Sequence, residues 1–301
     1  MSELTQVKPS GDDPDSSPDS ERAADTGHVR PVRRRRDFGA LFGAVWIAVI
    51  ALAAALADVL PLPDPSAVSD SFSAMPSGDH LLGTDELGRD VLSRVVHGAR
   101  VSMAVAIGAT SISMILGVAI GMLGGYFRGA VDAASSMFVN FMLAFPPLIF
   151  LIALVAAMQP SLTSLVIALA LVGIPNFARV ARANTIAFAD REFVIAARAL
   201  GARPTRILIR ELLVNVMLPV MSLALVVMAT LVVAEGSLSF LGVGVPPPAP
   251  SWGGMLASGR ESLSTDAQLV LVPALLFFLT VFSFNRLGDW ARGRVGKESS
   301  L

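Results

Sequence analysis

From Ala133 to Ala178 the chain carries no charged residue. About 20 apolar residues suffice to cross the ~30 Å hydrocarbon core of a bilayer, so this run is too long for one ordinary span. The break at Gln159-Pro160-Ser161 divides it into spans near Ser136–Met158 and Leu162–Phe177. The whole chain is 53% hydrophobic and only 16% charged, with a mean hydropathy of +0.65. It reads as an integral membrane protein with one main transmembrane body. Pro146-Pro147 falls inside the first of the two spans. Such a pair frees backbone carbonyls, and either bends the helix for structural reasons or lines a path for solute.

Three further apolar runs complete the membrane part: Phe38–Ala57, about Val101–Leu123, and roughly Val216–Val233 with Pro219 inside it. With Gln268–Asn285 this gives six spans in an all-α, polytopic protein. In the second span Gly117, Gly121 and Gly125 recur every four residues, a small-residue face for close helix packing. Before it, Leu87, Val91, Val95 and Val96 fall on one face of an expected amphipathic surface helix, with Thr84 or Asp85 as its cap. Tyr126, Phe127 and Arg128 mark an interface, followed by a short loop around Asp132. Glu235 follows the fifth span immediately. A carboxylate there is either functional or structural, and its place near the span end permits contact with water. Gly242–Arg260 is an extramembrane loop stiffened by three consecutive prolines.

Between spans four and five lies the long polar, arginine-rich segment Arg179–Val220. Seven arginines (179, 182, 191, 198, 203, 206 and 210) stand there against Asp190, Glu192 and Glu211, a local charge of about +4. Helical pattern recurs on both sides of an interruption at Gly201 and Pro204. Glycine tolerates the left-handed geometry that ends a helix, and proline is at home in a first helical turn. The expectation is two short helices meeting at a sharp turn. It serves either as a rigid protrusion for a partner or as an ordinary solvated positive loop.

Charge sets the expected topology. With the N-terminus inside, six spans put the N-terminal tail, the central loop and the C-terminal tail on the cytoplasmic side. These carry seven, seven and four of the Arg and Lys residues. The first outer loop, with Arg89, Arg94 and Arg100, is the exception. Residues 1–37 read as a disordered cytoplasmic tail, and Arg33–Arg36 as a contact for anionic lipid. No phosphate-binding GxxxxGK[ST] loop occurs, His28, His80 and His97 lack metal-ligand spacing, and no nucleophile elbow is present. No enzyme activity, metal site or nucleic-acid partner is therefore expected. The chain has no cysteine, hence no disulfide.

The central segment resembles the signature of bacterial ABC-importer permeases, an Ala-Ala pair followed by a fixed Gly and then hydrophobic residues. The matching positions are Ala196, Ala197 and Gly201. Ile195 stands where the family has Glu. Leu213-Val214 stands where a Leu-Pro commonly closes the signature, and a proline comes later at Pro219. The chain is more closely similar to the permeases of dipeptide, oligopeptide and nickel importers. That likeness rests on the blocks Leu82–Arg94, Gly98–Ser102, Ala197–Ala202, Ala234–Gly244, Ser251–Gly253 and Phe284–Trp290, in that order.

The resemblance implies an ABC-importer permease fold, with residues 38–290 as the permease domain, 291–301 as a cytoplasmic tail, and a location in the bacterial inner membrane. It implies a coupling helix between spans four and five that docks on an ATPase. Ile195, Ala196 and Ala197 would pack in it, Gly201 and Pro204 would shape its turn, and Arg198 or Arg203 would face the ATPase. Candidate path or outer-gate residues are Pro146, Pro147 and Glu235. Asp85, Glu86, Arg89, Asp90 and Trp252 belong to the outer loops that meet a binding protein. The implied partners are a homologous permease, one or two ATPase subunits that hold the ATP and Mg, a substrate-binding protein and membrane lipid. The implied solute is a dipeptide or oligopeptide, with nickel or glutathione as alternatives. A scaffold without a transport path and an ion-driven carrier are the competing classes. A carrier would want internal halves and buried ionisable residues.

Overall fold

The computed structural model describes residues 37–298. The disordered tail expected for residues 1–37 and the cluster Arg33–Arg36 thus lie, Asp37 apart, outside the described residues. The described part is built of helices, with one isolated β-bridge, Thr84 to Asp90. Five helical segments are long and apolar enough to cross a membrane, and a sixth span is a bent pair. The single helices are α1 (Phe38–Ala55), α2 (Val91–Phe127) and α5 (Leu162–Ala189). The bent pair is α3 (Gly129–Ala144) and α4 (Pro147–Ala157), which meet at 91°. Between α5 and the next span comes the short α6 (Glu192–Ala199). Pro204–Phe240 forms one helical span, in which the single turn α7 (Pro204–Arg206) and a π-helical turn (Ile207–Leu212) lead into α8 (Leu213–Phe240). Then follow α9 (Trp252–Gly259) and α10 (Gln268–Glu298).

The 91° bend follows from Pro146-Pro147. A residue before proline is pushed out of the helical region. Phe145 (ψ 136°) and Pro146 (ψ 125°) are accordingly both extended. The glycine stripe of α2 does what its spacing predicts. A Cβ at Gly117 would lie 2.7 Å from the carbonyl of Ile174, and one at Gly125 would lie 2.9 Å from that of Arg182. The backbones of α2 and α5 therefore touch, and Ser113 spans the gap by donating to the carbonyl of Ala170 at 2.7 Å. Around this pair α8 closes the principal core through Val216, Val220 and Leu231. The peripheral α1 lies on α10, where Trp46 donates to Thr280 at 3.0 Å, and turns Phe38, Leu41 and Leu52 outward.

Several expected boundaries move. The separate amphipathic helix does not exist: Leu87 is exposed in a loop, and Val91–Val96 begin α2 itself. Its cap is neither Thr84 nor Asp85. Asp90 caps α2, accepting from the Ser93 amide at 2.7 Å. Asp132 is in the first turn of α3 rather than in a loop. Arg179–Ala189 continues α5, and Ile207–Leu213 is the root of the fifth span rather than a second short helix. The proline-rich loop contains α9, and α10 runs past Asn285. The reason is common to most of these. Hydropathy marks only the part of a helix in contact with lipid, while backbone hydrogen bonding carries the helix on into polar sequence.

Candidate functional site

The expected turn is built as a Schellman motif, the hydrogen-bonded cap in which a left-handed residue satisfies the last carbonyls of a helix. Gly201 has φ +78°. The Ala202 amide donates to the Ala197 carbonyl and the Gly201 amide to that of Arg198, both at 3.0 Å. Pro204 then opens the next helix at a position needing no amide proton. One side chain anchors α6: Val194 is 0% exposed, while Ala197 and Ala202 pack half-buried on the principal core. Ile207, Leu208 and Leu212 bury the other limb. Ile195 and Ala196 are exposed beside the Val194 anchor. At the tip Leu200 is 88% exposed, Ile195 53%, and Phe193 is also exposed. Arg203 is exposed, and the Arg198 guanidinium lies 5.8 Å from the centroid of the Tyr126 ring. Two ion pairs brace the root: Arg182 grips Asp132 through two bonds of 2.5 and 2.6 Å, and Arg128 meets Asp190 at 2.7 Å.

Tyr126 is near the C-terminal end of α2, and a second cluster gathers around the other end of that helix. The Trp252 indole donates to the Val95 carbonyl at 3.0 Å, and its amide donates to the Ser102 hydroxyl at 3.3 Å. Ser102 donates to Glu235 at 3.4 Å, and Ser239, one helical turn beyond Glu235, donates to the same carboxylate at 2.8 Å. Glu235 and Trp252 are both fully buried. Glu235 therefore has no exposed surface despite its place near a span end, and Trp252, the first residue of α9, fastens α9 to α2. Gly253 rests directly on Gly236, where a Cβ would come within 2.7 Å of the Gly236 Cα.

Asp85 and Asp90 also hold the fold. Asp85 accepts from the Arg89 guanidinium at 2.7 Å and from the Leu87 and Arg89 amides. Asp90 meets His80 at 2.9 Å as well as capping α2. Glu86 is exposed. Asp85, Glu86 and Arg89 line a crevice of about 170 Å³ with Met255 and Ser258 of α9. Pro146 and Pro147 are exposed at the bend. Outside the spans, Asp58 accepts from Arg100 at 2.8 Å, and this bond holds its carboxyl below the usual carboxylate range. Among the described residues no cluster of His, Asp or Glu could hold a metal ion. Sequence reading missed Val194, Ser102 and Ser239; only the i, i+4 spacing of Glu235 and Ser239 could have signalled one of them.

Among the described residues, six apolar spans with a braced, outward-facing turn between the fourth and fifth make a multi-pass membrane protein. Residues 117–297 match the family described as binding-protein-dependent transport system inner membrane component, and the chain belongs to that family. It is 36% identical over 279 residues to a putative peptide transport system permease protein of Brucella suis, covering 92% of this chain and 93% of that one. It is 37% identical to a dipeptide transport system permease protein of Alkalihalophilus pseudofirmus, over 72% of this chain and 71% of the other. A glutathione transport system permease protein of Pectobacterium atrosepticum is 36% identical over 74% of each chain. Among solved structures, an inward-facing methionine ABC transporter chain superposes with a TM-score of 0.54. That match has 20% identity and covers 67% of this chain and 96% of that chain, a likeness of fold.

Proposed function

We propose that this chain is the permease subunit of an ATP-driven importer of dipeptides or oligopeptides. It forms the solute path with a homologous permease and receives peptide from a substrate-binding protein. One or two ATPase subunits hold the ATP and Mg. The carrying observation is the turn at Gly201. Its tip exposes Leu200 almost completely and Ile195 by about half, yet its root is fixed by Val194, Ile207 and two ion pairs. An exposed apolar tip on a rigid mount fits a cleft in a partner, and rigidity is what lets a partner's movement reach the spans. In this reading the tip, with Arg198 and Arg203 beside it, docks on the ATPase from the cytoplasmic side, and both chain termini are cytoplasmic. The crevice at Asp85, Glu86 and Arg89 faces the binding protein. Peptide as solute rests on the names of the relatives, and glutathione, itself a small peptide, is the alternative they support.

The test is reconstitution with candidate ATPase and binding-protein subunits, reading ATP-dependent uptake of labelled dipeptides and oligopeptides. Glutathione and nickel serve as competing solutes. Peptide uptake that requires all subunits supports the proposal. Uptake of nickel alone would replace the solute, and subunits that never assemble with this chain would remove the mechanism.

A further inference from the structure

A cavity of about 300 Å³ opens between α2, α3 and α5, with Ser135, Ser136, Asn140, Arg179 and Arg182 among its lining residues and Gly121 at its floor. Its two arginines differ. Arg182 is committed to Asp132 through both nitrogens, so that pair brings no net charge to the cavity. Arg179 has no carboxylate within 4.0 Å among the described residues, and its single side-chain bond is a long one of 3.5 Å to the Asn140 amide oxygen. Ser135 donates to the Asp132 carbonyl at 3.0 Å, so the cavity presents one uncommitted guanidinium, the Ser136 hydroxyl and a carboxamide.

Arg179 and Asn140 are both exposed on the surface of the subunit. Asn176, one turn from Arg179, is exposed on the same helix. Polar and charged side chains at such positions are costly against lipid, and are found facing protein or water-filled space. The α3–α5 face of this subunit is thus turned away from lipid.

We propose that this cavity is a station on the solute path where Arg179, with Ser136 and Asn140, takes the terminal carboxylate of the passing solute. The planar guanidinium fork matches the two oxygens of a carboxylate, and the hydroxyl and carboxamide protons add donors around it. A bare divalent cation would be repelled by the same group. The proposal rests on the import reading above and names a solute group for it.

The chain has no cysteine, so a single Ser136→Cys substitution gives this subunit one thiol, whose labelling is read on this chain after the assembled complex has reacted. Its reaction rates with a sulfonate-bearing and a trimethylammonium-bearing methanethiosulfonate are each divided by the rate with a small free thiol. The sulfonate reagent is expected to be favoured about tenfold, as in a cleft lined by one sign of charge, and Arg179→Gln should abolish that preference. Alanyl-alanine should slow the reaction, and its C-terminal amide should not. No reaction with either water-soluble reagent would show the face to be dry, and equal normalised rates or equal protection by acid and amide would remove the carboxylate site; each outcome overturns the proposal. Because the labelling needs no uptake, a retained anion preference in a complex that imports no peptide supports the site while refuting the import reading.

Discussion

The Ala202 amide donates to the Ala197 carbonyl at 3.0 Å, across a left-handed Gly201 that lies between them. This bond closes the turn, and it exists only because the residue in the middle can hold φ +78°. A Cβ added at Gly201 would meet nothing within 4 Å. The cost of substitution is therefore conformational, about 1–2 kcal/mol for an L-residue. Gly201→Asn should nearly preserve uptake, since Asn tolerates this geometry, and Gly201→Ala should lower it. Gly201→Trp should insert normally but abolish coupled transport, because its bulk projects from the docking tip. Full uptake by the Trp variant would show that the turn is not the contact.

Val194 and Ile195 are neighbours with opposite environments, 0% against 53% exposed. Val194→Ala should lower the thermal stability of the purified subunit by about 1–3 kcal/mol, the scale of a buried Val side chain. Ile195→Ala should leave stability unchanged and weaken copurification of the ATPase. The reverse pattern would mean that α6 docks by its other face.

Glu235 receives hydrogen bonds from Ser102 and Ser239 in the interior. Glu235→Ala leaves both hydroxyls without their acceptor and should destabilise by about 1–3 kcal/mol, whereas Glu235→Gln keeps one acceptor oxygen and should cost less. Loss of uptake in Glu235→Gln at unchanged melting temperature would instead give this acid a functional role.

Gly121 and Gly108 stand on the same helix with different neighbours. At Gly121 a Cβ would run into the backbone carbonyl of Ala178, while at Gly108 it would reach a Val166 methyl at 3.4 Å. Gly121→Val should therefore abolish the yield of folded protein, and Gly108→Ala should be tolerated. Equal yields would refute backbone contact as the basis of the α2–α5 pairing.

Asp58 and Arg100 make a pH-dependent contribution to stability. The folded Asp58 carboxyl titrates below its ordinary value of about 3.9. The pair's stabilisation is present above that ordinary value and is lost as pH falls through the lower, folded one. Asp58→Asn should thus melt below the parent at pH 7, with the gap closing below about pH 4 and narrowing in high salt. A gap that persists in acid would assign the difference to something other than this charge.

The features legible in the sequence are those with local causes. Pro146-Pro147 foretold the bend, Gly117, Gly121 and Gly125 the close helix pair, and Gly201 with Pro204 the turn. What escaped depends on tertiary neighbours. Nothing local distinguishes Val194, the buried anchor, from Ile195, its exposed neighbour. Trp252 sits in a proline-rich stretch that reads as a loop, and only its bonds to Val95 and Ser102 make it interior. Hydropathy ends the fifth span near Val233 and puts Glu235 within reach of water, whereas α8 continues to Phe240.

Pro204–Phe240 is one length of helix, rooted in the turn and carrying Glu235 near its far end. At 1.5 Å per residue it is about 54 Å long. Pro219, inside it, supplies a natural fulcrum. Rocking such a beam by ~10° swings its extremities ~5 Å in opposite directions, from that length alone. A seesaw of this kind cannot lift both ends at once, so if a partner pushes on the turn at Gly201, the same motion would shift the neighbourhood of Trp252.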